Sequence, residues 1–589
     1  MKKSIYVLGL NEALCASAAL LKDGEIIAAA AEERFTRIKN FWGFPKNAIA
    51  FCLDFAKIKS SDLELVVLSY IDPFSHFVQG RAQVKESFMP PIFKRLGKVA
   101  PGLEYKFPFL NALTDAGRNI YYKLLLPRYQ VQQEHEISEI LKIPKEKIIR
   151  VNHHLCHAYS AYYSNPERSD DRTVVLTNDG AGDMICASIY IVKDGKFRLL
   201  AETPYIHSLG LFYAAITSYL GLKAHEDEYK VMGLAPYAEN SDYSKIYEVF
   251  RKLIWNKELK FDSLIPSRQY GLYLEENLKG FRFDQIATAA QKIFEDLMLK
   301  WVQNAINKTR AKRVCYAGGS FLNVKTNMLL DARCKMLDAG CFFMPSPGDD
   351  TNAIGATYYG YKFKVHPDQI GTKFKVSIKP LSNLYLGPEY SEKEIVNSFK
   401  KFKKIKFEKV KNIETKIAKL LAKGKVVARF AGRMEFGARA LGNRSILADP
   451  RNKDVVEEIN KMIKMRDFWM PFAPTILVES VKKYIIDPKP APYMILAFDT
   501  TETGKQHLAA AIHPYDKTVR PQTLKESDNP SYYKIIKEFE RLTRVGAILN
   551  TSFNIHGEPI VCTPLDALST LERSGLEYLV IEKYLVTKK

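Results

Sequence analysis

The chain has 589 residues, of which 47% are hydrophobic and 26% charged, and its formal net charge is +21. That length predicts two large domains or three to four smaller ones, with ample apolar residues for a core. No run of about 18 apolar residues occurs, so the sequence predicts no membrane span. Eight cysteines are scattered without a CxxC pair, which favours reduced thiols over a disulfide framework.

The N-terminal residues MKKSIYVLGLNEALCASA imitate a signal peptide, with two lysines followed by apolar and small residues. Asn11 and Glu12 interrupt the apolar run, so we expect a cytoplasmic protein. Nucleic acid, an acidic membrane face or phosphorylated substrates could each explain the charge. The lysines are spread widely and alternate with apolar residues, as on solvated faces. The charge is therefore weak evidence for a nucleic-acid partner.

The early part of the chain repeats itself. Residues 5–10 predict a strand, and two apolar arms joined by KDG at residues 22–24 then predict a hairpin. CAS at residues 15–17 and this KDG recur, with one constant offset, at residues 186–188 and 193–195. We interpret the repeat as a duplicated lobe. Two such lobes resemble the actin-like ATPase architecture of sugar kinases and chaperones.

Two histidines and a carboxylate suggest a metal site. His153 and His157 are four residues apart, which on a helix places both rings on one face. Thr173–Thr177 predicts a buried strand that ends near Asp179, where open α/β sheets place ligands. Asp350, after a later strand, is the fourth candidate. Such a donor set suits iron or zinc, and the alternative is a helix whose histidines simply pack or cap.

Between and after these motifs lie an insertion and a glycine turn. Residues 75–150 predict a mostly helical insertion, whose aromatic residues could line an acceptor cleft or simply pack. A long helix at 283–309 feeds a strand at 313–317. Gly318-Gly319 and a helix carrying Asn323 follow, an order that can bring backbone N–H groups against a nucleotide.

The C-terminal third predicts an anion site. Pro380–Pro388 reads as a linker, and an α+β domain begins near Tyr390. The glycine-rich block 432–451 carries four arginines that a stabilising core would not hold without partners. Anions such as phosphate or carboxylate match the guanidinium fork. The cationic and polar candidates of this domain are Arg433, Arg439, Arg444, Arg451, Lys461, Lys464, Arg466, His513, Thr518, Arg520, Gln522, Asn550, Thr551 and Ser552.

Six blocks in order resemble the carbamoyltransferase family of nodulation-factor and antibiotic-tailoring enzymes, of the NodU/CmcH type. They are AAAEERFTRIK, NHHLCHA with LTNDGAGD, EYKVMGLAPY, GGSFLN, EFGARALGNRSILADPR and NTSFNIHGEPIV. The resemblance implies an α/β fold. A duplicated actin-like (ASKHA) domain would span residues 1–379, with the insertion at about 75–150. A linker at 380–389 and an α+β YrdC-like domain at 390–589 would follow.

By this resemblance, the C-terminal domain makes carbamoyl-adenylate from carbamoyl phosphate and ATP with Mg2+. The N-terminal domain then transfers the carbamoyl group to a hydroxyl of a small metabolite or sugar. The resemblance leaves open whether the protein forms a homodimer. Carried over by position, the ligands of a mononuclear iron (Fe2+, with zinc as the alternative) would be His153, His157, Asp179 and Asp350. The catalytic residues would be Lys230, Arg444 and Ser552. The nucleotide and carbamoyl phosphate would contact Gly318, Gly319, Asn323, Arg433, Arg439, Arg444, Arg520, Asn550 and Ser552.

The chain departs from the family pattern in places. Leu14-Cys15 replaces the usual His-Asp, and Leu14 cannot orient or deprotonate an acceptor hydroxyl. Ala438 replaces a proline, and Met470 stands where an arginine is common. These departures leave rival functions open: a tRNA-modifying carbamoyl transferase, or a binding partner that has lost transfer activity. A generic sugar kinase is a weaker alternative, because its reaction would not need the arginine-rich domain.

Overall fold

A computed structural model describes residues 4–71, 100–168, 172–362 and 377–589. The first part of the predicted insertion, residues 75–99, lies outside these ranges. The chain forms two compact units. Unit 1 comprises the chain up to Ala29 together with Trp42–Ser382, and unit 2 comprises Ala30–Phe41 together with Asn383–Lys589.

Unit 1 contains two five-stranded sheets with the same topology. The strands of the first are β1 (Tyr6–Asn11), β2 (Ser17–Lys22), β3 (Glu25–Ala31), β4 (Leu63–Leu68) and β5 (Ile148–Arg150). Those of the second are β6 (Thr173–Gly182), β7 (Ile185–Lys193), β8 (Lys196–Pro204), β11 (Arg313–Ala317) and β12 (Gly340–Phe343), and a separate hairpin contains β9 (Ile254–Lys257) and β10 (Lys260–Ser263). The orders are β3-β2-β1-β4-β5 and β8-β7-β6-β11-β12. In both sheets the first three strands are antiparallel and the last two run parallel to the first of them. The predicted duplication of an α/β lobe is thereby confirmed.

The helices of unit 1 surround these sheets. They are α2 (Lys46–Ala56), α3 (Leu110–Leu141), α4 (His153–Ser164), α5 (Leu209–Tyr219), α6 (Glu228–Leu234), α7 (Ser244–Leu253), α8 (Tyr270–Asn277), α9 (Phe283–Thr309), α10 (Val324–Met336) and α11 (Asn352–Gly360). Residues 100–106 are also helical. Within the described ranges, no helix is both long enough and apolar enough to cross a membrane.

Helices α4 and α11 are exchanged between the two sheets. Helix α4 follows the first sheet in sequence but packs on β6, β7 and β11, whereas α11 follows the second sheet and packs on β1, β2 and β4. The two helices also pack against each other so closely that a Cβ at Gly355 would lie 1.9 Å from the carbonyl oxygen of Cys156. A Cβ at Gly9 would lie 2.0 Å from the carbonyl oxygen of Ala353. Glycine is therefore required at both crossings.

Unit 2 is an α+β domain with one eight-stranded mixed sheet. Its strands are β13 (Ile405–Lys409), β14 (Val427–Phe430), β15 (Arg444–Ala448), β16 (Ala473–Leu477), β17 (Gln522–Leu524), β18 (Ala547–Ser552), β19 (Tyr578–Ile581) and β20 (Tyr584–Lys588). Their order is β13-β20-β19-β14-β15-β18-β16-β17. Its helices are α1 (Glu33–Thr36), α12 (Glu392–Phe399), α13 (Ile413–Ala422), α14 (Asp454–Ile459), α15 (Val481–Tyr484), α16 (Glu502–His507), α17 (Pro530–Thr543) and α18 (Pro564–Arg573).

A segment from near the N-terminus belongs to unit 2, although the sequence places it in the first domain. Arg37 donates hydrogen bonds of 2.6 Å to the carbonyl oxygens of Ile560 and Pro559. Arg34 donates one of 2.8 Å to the carbonyl oxygen of Gly437. The charged AAAEERFTRIK block therefore folds with C-terminal residues, because its arginines satisfy their buried carbonyl groups.

We predict that Gly355→Ala lowers the free energy of unfolding by about 1–3 kcal/mol, because the added methyl group overlaps a backbone carbonyl that cannot move alone. Gly117→Ala is the matched control, since a Cβ at this exposed position on α3 meets nothing within 4 Å. Chemical denaturation of both variants measures the difference. Equal stability of the two would contradict the close crossing of α4 and α11.

Candidate metal centre and anion site

The metal-site histidines are placed by the start of α4. The side chain of Asn152 caps the helix by accepting a hydrogen bond from the N–H of Leu155 at 3.1 Å. The first helical N–H, that of His153, donates to the carboxylate of Asp183 at 2.6 Å. A Cβ at Gly182 would lie 2.2 Å from the His153 ring, so glycine there lets the ring lie against the strand.

Four side chains converge at this point: His153, His157, Asp179 and Asp349. The Nε2 atom of His157 lies 3.2 Å from an Asp179 oxygen and 3.4 Å from an Asp349 oxygen. The Nε2 atom of His153 lies 4.0 and 3.6 Å from the same two oxygens. Ligands bound tetrahedrally at about 2.1 Å are about 3.4 Å apart. The four groups therefore fit one divalent cation with little movement.

Asp349 takes the place that the sequence gives to Asp350. Both residues start the short helical turn Asp349–Thr351, where consecutive side chains point in different directions. The Asp350 carboxylate accepts a hydrogen bond from the Ser346 hydroxyl at 3.1 Å instead of facing the histidines. The structure thus places Asp349, rather than the predicted Asp350, beside the histidines, and metal binding by either carboxylate stays a prediction. Asn352, one turn later, lies 3.3 Å from Nε2 of His157.

The electrostatics of this cluster favour a bound cation. Burial raises the pKa of Asp349 well above its usual value, and the charge of Asp179 adds to the rise. Burial also opposes ionisation of Asp179, but hydrogen bonds from His153 and His157 outweigh it and lower its pKa. One Asp349 oxygen is buried without a hydrogen bond. A divalent cation would satisfy this oxygen and relieve the repulsion between the carboxylates.

The third histidine of the motif is not a candidate ligand. One ring nitrogen of His154 lies 2.7 Å from the Thr177 hydroxyl, and the other lies 3.0 Å from the carbonyl oxygen of Ile185. Burial, with the neighbouring imidazoles second, lowers its pKa to about 3. His154 is therefore a neutral residue that ties α4 to the second sheet.

The glycine turn supports Asp179. The N–H of Gly319 donates to its carboxylate at 3.1 Å. A Cβ at Gly318, where φ is +106°, would lie 2.2 Å from the carbonyl oxygen of Asn178. Asn323 caps α10 and exchanges amide hydrogen bonds with Gln291. These contacts are structural, and a nucleotide role for these three residues stays a prediction.

Lys230 lies on α6, and its ammonium group lies 3.5 Å from an Asp227 oxygen. It is mostly buried, with 13% of its side chain exposed. The predicted catalytic role of Lys230 stays a prediction.

The first lobe carries a buried carboxyl near the position of the usual family histidine. Glu12, just after β1, accepts a hydrogen bond from the Tyr70 hydroxyl at 2.8 Å and another from Gln133 of α3. Burial raises its pKa despite these bonds. The backbone carbonyl of Leu14 accepts from Asn11. The described part of the insertion thus packs against the end of the first sheet.

Arg444 of unit 2 lies inside the domain. Its guanidinium is completely buried and lies 3.6 Å from the centre of the Phe430 ring. Its N–H groups donate to backbone carbonyl oxygens of Ala431, Gly432, Asn443 and Pro388. These bonds engage Nη1 and Nη2, whereas Nε is buried without a hydrogen bond. The predicted catalytic role of Arg444 stays a prediction. Its hydrogen bonds hold the backbone of the glycine-rich loop in place.

Two other predicted ligands also bond within the protein. Arg433 donates to the carbonyl oxygens of Leu386 and Gly387 at 2.5 and 3.3 Å. The Asn550 amide donates to the carbonyl oxygen of Ala440 at 3.2 Å and to the Thr475 hydroxyl at 3.1 Å. Both residues hold the walls of the site together.

A cluster of cations lies beside the end of β18. Burial lowers the pKa of Arg520 well below its usual value, and the charges of Arg439 and Arg466 lower it further. Burial also lowers the pKa of Lys464, and Arg466 and Lys39 lower it further. The cationic cluster, as named from here on, comprises Lys39, Arg439, Lys464, Arg466 and Arg520. Lys464 is buried, and the other four are half-buried. Like charges held together in this way are typical of an anion site.

Hydroxyl and amide groups border this cluster. The ammonium group of Lys464 donates to the Ser552 hydroxyl at 3.1 Å and to the Asn554 amide oxygen at 2.7 Å. Arg466 donates to the Thr551 hydroxyl at 3.3 Å. The structure thus brings the predicted residues Arg439, Arg520 and Ser552 together. It adds Lys39, which sequence spacing could not locate because it lies more than 400 residues before Lys464.

Comparison with known proteins identifies the family. A family model described as carbamoyltransferase N-terminus matches residues 7–358, and one described as carbamoyltransferase C-terminus matches residues 418–588. The chain belongs to the carbamoyltransferase family. It is therefore a transferase, and the resemblance inferred from the six sequence blocks is confirmed.

Curated relatives of this carbamoyltransferase extend over nearly the whole chain. The nodulation protein NolNO of Sinorhizobium fredii is 31% identical over 97% of this chain and 79% of its own length. An uncharacterized protein of Synechocystis is 31% identical over 99% of this chain and 97% of its own length. Among solved structures, HypF of T. kodakarensis is 12% identical over 61% of this chain and 48% of its own, with a TM-score of 0.31.

We predict that Asp349→Asn abolishes tight binding of Fe2+ or Zn2+, because it removes one of two carboxylates that face the imidazoles. Asp350→Asn is the matched control and is expected to retain the metal. Metal content after dialysis, measured anaerobically by mass spectrometry, gives the result. Loss of metal from the Asp350→Asn variant alone would instead identify Asp350 as the ligand.

We further predict opposite stability effects for two arginines. Arg444→Met leaves several buried carbonyl groups without donors and lowers the free energy of unfolding by about 2–5 kcal/mol. Arg520→Met removes a half-buried charge that lies among other cations, so it leaves stability unchanged or raises it. Thermal and denaturant unfolding measure both effects. A large destabilisation by Arg520→Met would show that Arg520 is structural too.

Proposed function

We propose that this carbamoyltransferase is an ATP-dependent O-carbamoyltransferase that forms carbamoyl-adenylate before transfer. The observation that supports the proposal most directly is the cationic cluster of unit 2. Its five charges far exceed what a single carboxylate would need, and they suit the several phosphate groups of ATP and carbamoyl phosphate.

In the proposed first reaction, carbamoyl phosphate loses its phosphate to water and yields carbamate. A carbamate oxygen then attacks the α-phosphorus of ATP, and pyrophosphate leaves. Negative charge accumulates on the phosphate oxygens in this step, and Arg439, Arg466 and Arg520 would stabilise it by charge-assisted hydrogen bonds. Lys464 would hold its ammonium group beside Ser552 to bind the same phosphates. Mg2+ would accompany the nucleotide.

In the proposed second reaction, an acceptor hydroxyl oxygen attacks the carbamoyl carbon and AMP leaves, while the hydroxyl proton is released. Bound iron, or zinc in its place, would polarise the carbonyl group that is attacked. His153, His157, Asp179 and Asp349 would hold that metal, and Gly319 would orient Asp179 through its N–H. The acceptor would be a hydroxylated small metabolite or sugar.

We predict a division between the two sites. Wild-type protein should release pyrophosphate from ATP only when carbamoyl phosphate is present. Arg520→Met should lose roughly 100-fold or more of this activity, because a charged contact to phosphate is removed. His157→Ala should retain it, because the histidine belongs to the transfer site.

Arg541→Met is the matched control for unit 2. Arg541 is 63% exposed and pairs only loosely with Glu538 at 3.3 Å, so its loss should leave pyrophosphate release unchanged. The proposal fails if wild-type protein releases no pyrophosphate in response to carbamoyl phosphate. Loss of pyrophosphate release in His157→Ala would contradict the assignment of the two reactions to separate sites.

The pKa of Lys464 predicts a pH dependence of nucleotide binding. Its lowered value means that the free protein loses this charge at a lower pH than an ordinary lysine would. Affinity for a non-hydrolysable ATP analogue should therefore fall as pH rises, at a pH below that at which an ordinary lysine loses its charge. Lys464→Arg should flatten the decline, and calorimetric titration measures it. An equal decline in both proteins would assign the titration to another group.

A further inference from the structure

Helix α3, in the predicted insertion, is buried on one face and exposes apolar side chains on the opposite face. At 3.6 residues per turn, Leu113, Leu124 and Val131 fall within about 20° of one another around the helix. Each of these three side chains is at least 60% exposed. Gln133 and Ile137 lie on the opposite face of the helix, and both are buried. The outer face of α3 is therefore a row of large apolar side chains that faces solvent.

The row continues beyond the start of the helix. Phe109, the residue before α3, has helical backbone angles and lies about one turn before Leu113. Its ring lies 6.3 Å from that of Phe107, and both residues are more than half exposed. We call Phe107, Phe109, Leu113, Leu124 and Val131 the apolar stripe. From Phe109 to Val131 it extends for about 33 Å. Exposed apolar residues are usually scattered singly, whereas a contiguous patch marks an interaction surface.

Contacts on the inner side hold α3 in this orientation. Near its C-terminal end, the Gln130 side chain donates to the carbonyl oxygen of Ile71 at 2.8 Å. Near its start, the side-chain oxygen of Asn111 accepts a hydrogen bond from Arg268 at 2.8 Å. A Cβ at Gly117, on the same face as the stripe, meets nothing within 4 Å. The helix is thus anchored at both ends with the apolar stripe open on its outer side.

The chain around the stripe is basic. Lys123 lies about 100° to one side of Leu124, and Arg128 lies about 40° to its other side. Both cations are exposed, as is Lys106. Across residues 75–131 the sequence contains nine lysines and arginines but only three aspartates and glutamates. The apolar stripe therefore lies in a positively charged part of the protein.

These two chemistries suit an anionic lipid surface. Anionic headgroups attract lysine and arginine side chains that lie near the membrane surface. The boundary between headgroups and acyl chains accepts phenylalanine and leucine side chains from a helix that lies in the plane of the membrane. A helix with apolar residues along one face and cations on its flanks presents both groups at the depth where each is favoured.

Other macromolecules match the outer face of α3 less well. Two copies of this chain related by a twofold axis would bring the same face against itself. Lys123 and Arg128 would then approach cations, in a chain whose net charge is already +21. A nucleic-acid backbone would attract these cations but would leave the aliphatic side chains of the stripe without apolar partners.

We propose that the outer face of α3 binds an anionic lipid surface, with the helix lying parallel to that surface. The insertion would then attach unit 1 to a membrane without crossing it. Because the inner face of α3 is fixed to the end of the first sheet, binding would also set the orientation of unit 1 on the membrane. This inference does not depend on the proposed carbamoyl transfer.

The test measures co-sedimentation of the full chain with lipid vesicles. The vesicles contain either phosphatidylcholine alone or phosphatidylcholine mixed with phosphatidylglycerol. We expect wild-type protein to bind the anionic vesicles and to bind the neutral vesicles at least about tenfold more weakly. Raising the salt concentration should weaken binding to the anionic vesicles, because salt screens the attraction of the cations.

Two double variants separate the apolar and charged contributions. Leu113→Gln with Leu124→Gln should weaken binding to anionic vesicles at least about tenfold, since two leucines no longer leave water. Lys123→Gln with Arg128→Gln should weaken it by a similar factor. Glutamine preserves helix propensity, and thermal unfolding verifies that each variant folds.

The matched control changes two exposed apolar residues elsewhere on unit 1, Leu264→Gln with Met336→Gln. This control should bind anionic vesicles as wild type does. Absent binding of wild type, equal binding to neutral and anionic vesicles, or an equal loss in the control would overturn the inference. Analytical ultracentrifugation tests the rival occupant. A wild-type dimer that binds no vesicles and dissociates on Leu113→Gln with Leu124→Gln would reassign the outer face to a second copy.

Discussion

Burying like charges beside each other costs free energy, and both units of this protein do so at their candidate sites. In unit 1, Asp179 and Asp349 face one pair of histidines, and burial, with the charge of Asp179 second, raises the pKa of Asp349. In unit 2, buried Lys464 and half-buried Arg520 lie among other cations. A ligand of opposite charge at either site would remove the cost of holding these like charges together. Binding such a ligand would therefore stabilise the folded protein.

This arrangement depends on a rigid frame around each site. The exchange of α4 and α11 between the sheets fixes the starts of both helices near the end of β6, where the four metal-site groups meet. Glycines at Gly9 and Gly355 allow the backbones to approach that closely. In unit 2 the frame is Arg444, whose hydrogen bonds to backbone carbonyl groups hold the glycine-rich loop in shape.

The two sites suit different halves of one reaction. A dense positive charge favours chemistry on phosphate groups, whereas histidines with carboxylates favour a metal that polarises a carbonyl.

The sequence by itself predicted several elements and the candidate site residues. It predicted a long helix at 283–309, where α9 lies, and a strand from Thr173, where β6 begins. The repeated KDG hairpin revealed the duplicated lobe that the two matching sheets confirm. Spacing of four along a helix was enough to pair His153 with His157.

Only the tertiary structure decided among neighbours and partners. The sequence prediction named Asp350, whereas a turn after Gly348 sets Asp349 as the carboxylate that faces the histidines. It did not reveal the hydrogen bonds of Arg444, because the carbonyl groups that accept them come from loops whose positions local spacing does not encode. It likewise left Lys39 in the first domain, since long-range hydrogen bonds from Arg34 and Arg37 place that segment in unit 2. Local patterns fix helices and strands, whereas contacts between distant residues fix which side chains meet.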